Sequence, residues 1–85
     1  MGPAAWAAVG RALGLALASS VFKGENSAFV LMAKHVEHAL AQRDLELARA
    51  LVRDLAYRHR RSFEQFMERH GADLPPEVLE EFRRL

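Results

Sequence analysis

No cysteine occurs anywhere in the 85 residues, which excludes disulfides and thiolate metal sites at once. A chain without cysteine suits a reducing compartment, and the cytoplasm is the expected location. Isoleucine and threonine are also missing, so valine is the sole β-branched residue. Strands draw on β-branched and aromatic side chains, and aromatics make up only 8% of the sequence. Neither sign of charge dominates, since 12 basic residues stand against 11 acidic ones for a net +1. That balance predicts neither a strong polyanion binder nor an acidic tail. Asparagine and glutamine are limited to Asn26, Gln42 and Gln65. Few thermolabile residues suit a thermophile, while the Arg- and Ala-rich bias follows equally well from a GC-rich genome.

What remains is helix-forming. Ala, Leu, Arg, Glu and Lys fill more than half the chain, and all five are good helix formers. The fold class that follows is all-α: a small antiparallel bundle of three helices plus a short C-terminal helix, forming one domain over 1–85. A domain this short buries a small share of its surface. Small scaffolds usually need a disulfide, a metal or a partner subunit. With disulfides excluded, close helix packing or self-association must supply the stability, and completion by dimerisation is expected.

Punctuation divides the chain into four helical segments, at about 3–22, 28–43, 45–70 and 76–84. Pro3 suits a first helical turn, and Lys23-Gly24 supplies a cation and a glycine for the first stop. Asn26 or Ser27 can cap the second segment. Asp44 reads as the cap of the third, with Glu46 favourably placed in its first turn. Gly71 stops that helix, and Leu74-Pro75-Pro76 makes a rigid corner before the fourth.

Apolar residues recur at helical spacing in each segment. The first carries Trp6, Val9, Leu13, Leu17 and Val21; the second carries Phe29, Met32, Ala33, Val36 and Leu40. In the third the stripe is Ala48, Leu51, Val52, Leu55, His59, Ser62, Phe63, Phe66 and Met67. Val78, Leu79 and Phe82 belong to the fourth. A single helix over 45–70 would be about 40 Å long and would overshoot its neighbour. Either the fourth segment folds back over Phe63, Phe66 and Met67, or a second subunit covers them. Packing and interface are therefore assigned to Trp6, Leu13, Leu17, Phe29, Met32, Leu51, Leu55, Phe63, Phe66 and Met67. Leu15 and Phe22 fall off the main stripe of the first segment. A helix apolar on more than one face is normally buried by more than one neighbour, which again favours a homo-oligomer.

The first segment is long enough to invite comparison with a membrane span. Arg11 in its middle, together with Gly10, Gly14 and Ser19, argues for a core helix instead.

Chemistry-bearing clusters are few. His35 and His38 lie one turn apart and could share a metal, but His38 falls opposite the apolar stripe. No Glu-x-x-His or His-Glu-x-x-His occurs. Surface imidazoles are the better reading, and no metal or cofactor is expected. His59 falls on the apolar seam and reads as a polar core residue, a neutral imidazole hydrogen-bonded across the bundle. The run Tyr57-Arg58-His59-Arg60-Arg61, preceded by Arg53, is the one basic stretch. Clustered arginines with an aromatic can hold phosphates and stack on bases. At helical spacing, however, Asp54 can neutralise Arg58 and Glu64 can neutralise Arg60. Arg53, Arg58, Arg60 and Arg61 are the candidate nucleic-acid contacts.

Arg53-Asp54 followed by His59 resembles the Arg-polar-x4-His element of HEPN ribonucleases, confined to those seven residues. The resemblance implies a dimeric helical bundle in which Arg53 and His59 cleave RNA. No phosphate loop and no serine beside a paired base offers other chemistry. The reading favoured by the sequence is a self-associating assembly or adaptor module without catalysis. The alternative is a nucleic-acid-binding protein or HEPN-like ribonuclease.

Overall fold

Proline lacks the N–H that a first helical turn would leave without an intrahelical partner, and the first helix begins at one. The computed structural model describes residues 2–19 and 27–85, and in it α1 spans Pro3–Ala18. It is followed by α2 (Ser27–Ala41), α3 (Leu45–Arg58), α4 (Arg60–His70) and α5 (Pro76–Arg83). No strand occurs among the described residues, and the chain is all-α. Val21, Phe22, the stop expected at Lys23-Gly24 and the cap expected at Asn26 lie outside the described residues.

The corner between α2 and α3 is fixed by backbone hydrogen bonds. Arg43 takes a left-handed conformation with φ 59°. Its N–H donates to the Leu40 carbonyl at 3.0 Å, and the Asp44 N–H donates to the Ala39 carbonyl at 2.9 Å. This is the Schellman pattern of helix termination. Asp44 then caps the next helix, Oδ1 accepting from the Leu47 N–H at 3.1 Å. One residue thus ends α2 and begins α3, turning the chain back on itself within three positions.

The helix expected over 45–70 is divided. His59, with φ −124° and ψ 50°, belongs to neither α3 nor α4. Its N–H still donates to the Leu55 carbonyl at 2.9 Å, and its carbonyl accepts from the Phe63 N–H at 2.8 Å. The bend therefore sits on one residue and keeps a hydrogen bond on each side. An unbroken helix of about 40 Å would exceed the 32 Å of the molecule's greatest extent. Bending returns α4 to the core, where Phe63 and Phe66 are buried. Gly71 does not halt α4 with a left-handed turn, since it is right-handed at φ −59°. The chain instead tightens into a 3-10 turn over Gly71–Asp73, and Pro75-Pro76 redirects it into α5.

The helix α5 folds back over the molecule. Its Phe82 ring lies 6.2 Å from Trp6 of α1 and 5.9 Å from Phe63 of α4, centroid to centroid. Phe63 and Phe66 are thus covered within the chain, while Met67 stays half-buried. Against α1 lies α2, running antiparallel: Gly10 approaches Leu40, and Gly14, one turn later, approaches Glu37. The core collects Trp6, Val9, Leu13, Phe29, Val36, Leu55, Phe66 and Val78 with alanines from three helices. The Cα radius of gyration is 11.5 Å, close to the roughly 12 Å of a folded domain this long. No helix among the described residues is long and apolar enough to cross a membrane.

Candidate functional site

The basic stretch straddles the bend, and its members have different fates. Arg58 Nε lies 2.9 Å from Asp54 Oδ1, the pairing that helical spacing predicts. Arg60 does not pair with Glu64. Its guanidinium donates to the backbone oxygen of Leu85, tying the start of α4 to the end of α5. Arg53 and Arg61 are exposed and have no ion-pair partner among the described residues. Tyr57 between them is 82% exposed, more than any other large apolar side chain described.

His59 departs from expectation. It is half-buried at the bend, and no side-chain hydrogen bond holds it across the bundle among the described residues. The seam position predicted for it assumed an unbroken helix, and the bend removes that geometry. Neither a hydrogen bond nor an ion pair joins Arg53 to His59, the two residues that the ribonuclease resemblance implies as a unit.

His35 and His38 stand exposed on α2. The Gln42 side-chain amide donates to Nε2 of His38 at 3.1 Å, a surface bond. His70 packs against Phe66 with 5.7 Å between ring centroids and lies 3.9 Å from Asp73. No group of three potential metal ligands gathers among the described residues.

Of the residues assigned to packing, Trp6, Leu13, Phe29, Leu55, Phe63 and Phe66 are buried. Leu17, Met32, Leu51 and Met67 are half-buried against them. Met67 also faces an open groove of about 690 Å³ between α4 and α5, floored by Phe63, Leu79 and Phe82 and edged by Glu64, Glu68 and Arg83.

A further surface belongs to α1. Its inner side is buried from Ala5 to Ala16. Its outer side exposes Ala4, Ala7, Arg11, Leu15 and Ala18 at steps of three and four, with Leu15 58% exposed. Arg11 is the only charge on that face. Beside it, the Glu37 carboxylate of α2 rests next to half-buried Gly14. Neither Arg11 nor Glu37 has an ion-pair partner among the described residues. The displaced position of Leu15 was a sequence signal for this face. The placement of Glu37 beside that face was not, because nothing local relates residues on two helices.

Compared with known proteins, the chain matches no family model, no curated protein and no solved structure.

Proposed function

We propose that the chain is a non-catalytic assembly module that associates with a second copy of itself through the outward face of α1. The supporting observation is that this face is as apolar as a core helix: four of its five exposed positions are alanine or leucine. Small side chains let two helices approach closely, and Leu15 gains most by leaving water. Full burial of an exposed leucine contributes about 1.5–3 kcal/mol, and Leu15, 58% exposed, has roughly half of that left to gain.

Charge supports a symmetric pairing. A two-fold interface brings residue i of one copy to residue j of the other, and j to i. Arg11 of one copy would meet Glu37 of the next, twice over. Arg11 stands midway along the apolar face and Glu37 beside it on α2, and neither has an ion-pair partner among the described residues; a charge that an interface buries needs such a partner.

Light scattering on a gel-filtration column, over a range of loading concentrations, tests the proposal. The mass should rise toward twice the 9.6 kDa of the chain. Leu15→Lys should return it to one chain's mass with the helical circular-dichroism signal unchanged. Arg11→Glu or Glu37→Arg alone should weaken association, and the two together should restore it. A single-chain mass at every concentration would sink self-association. A dimer indifferent to Leu15→Lys would sink this face.

A further inference from the structure

We infer that Tyr57, flanked by Arg53 and Arg61, is a stacking platform for single-stranded nucleic acid. The inference rests on a part of the surface separate from the α1 seam and stands whether or not the chain dimerises.

Three observations carry it. Tyr57 is 82% exposed, so its ring contributes almost nothing to the core and leaves an aromatic face open to solvent. Arg53 lies one helical turn before it on the same exposed side of α3, and Arg61 follows four residues later at the start of α4, also exposed. These two are also the arginines of the cluster without a partner among the described residues. Arg58 is neutralised by Asp54, and Arg60 is held by Leu85. Along the sequence the chain therefore offers guanidinium and ring on α3 and a second guanidinium just past the bend, with neither cation paired among the described residues.

A nucleotide strand alternates phosphate and base, which matches that order. An exposed ring can stack only on a base whose face is available, and in a duplex the faces are already stacked. Stacking on one aromatic is sequence-tolerant because every base has a π-face. With two free cations and a net charge of +1, the phosphate contribution is small and the ring must carry a large share. That condition again favours a single strand over a duplex, whose binding would rest on charge alone.

Fluorescence anisotropy of labelled oligothymidylate, oligouridylate and a DNA duplex of equal length, at low salt, tests the inference. Both single strands should bind more tightly than the duplex. Tyr57→Ala should weaken them by roughly tenfold or more, as loss of one stacked base does, while Tyr57→Phe keeps the affinity. Arg53→Ala with Arg61→Ala should reduce the slope of log affinity against log salt by about 1.4. All three side chains are exposed, so the variants should keep the wild-type helical signal and melting temperature. No binding of either single strand, equal or tighter binding of the duplex, or an unchanged affinity in Tyr57→Ala would each overturn the inference.

Discussion

Arg43 holds a backbone conformation that costs a residue with a Cβ about 1–2 kcal/mol. Glycine is the usual occupant of that place in a Schellman turn, and Arg43 is exposed with no ion pair among the described residues to lose. Arg43→Gly should therefore raise stability by ~0.5–1 kcal/mol, the gain tempered by the extra freedom of glycine in the unfolded chain. A thermal melt should record an increase of a few degrees, and a lower melting temperature would show that the strain is absent. The neighbouring Asp44 was legible in the sequence because an acidic residue ahead of an apolar period is a capping signal. Arg43 was not, since glycine and asparagine are what mark a left-handed position. The basic cluster divides along the same line. Asp54 with Arg58 follows from spacing within one helix, whereas Arg60 with Leu85 joins residues 25 apart, and no local rule connects them.

At the level of elements, the bend at His59 shows where periodicity stops being informative. Leu55, His59, Ser62, Phe63 and Phe66 keep helical phase, and neither proline nor glycine interrupts them, so local chemistry alone favours one helix. The break pays off only in three dimensions, where Phe63 meets Phe82 and α4 reaches α1. The short α5 depends on the same contact. Eight residues are too few for a stable helix alone, because nucleation outweighs so few hydrogen bonds. Phe82, 3% exposed, is its anchor. Phe82→Ala should cost about 3–5 kcal/mol and strip hydrogen-exchange protection from 76–84 first. The surface pairs Arg49–Glu81 and Arg84–Glu80 are too exposed to compensate. Undiminished protection in α5 would show that Phe82 is not what holds it.

Across the whole molecule, composition alone was enough for the all-α class, because a chain without isoleucine or threonine has little to build strands from. How the helices meet depended on contacts distant in sequence. Trp6 is the clearest case. It is the only tryptophan, 2% exposed, and stands where α1 meets Phe82 of α5 and the α2–α3 corner at Leu40 and Leu45. With every helix contributing to one core, unfolding should be a single cooperative event. Tryptophan fluorescence, reporting that junction, and far-ultraviolet dichroism, reporting all helices, should give superimposable urea transitions. Separated midpoints would mean that the junction around Trp6 opens apart from the rest of the helices.

The three-residue corner at 42–44 also constrains how the chain can vary. Its left-handed residue must sit immediately before the aspartate that both closes one helix and starts the next, so an added or deleted residue there would force the two duties apart. Relatives of this chain should therefore carry their length differences elsewhere and keep this corner free of insertions and gaps.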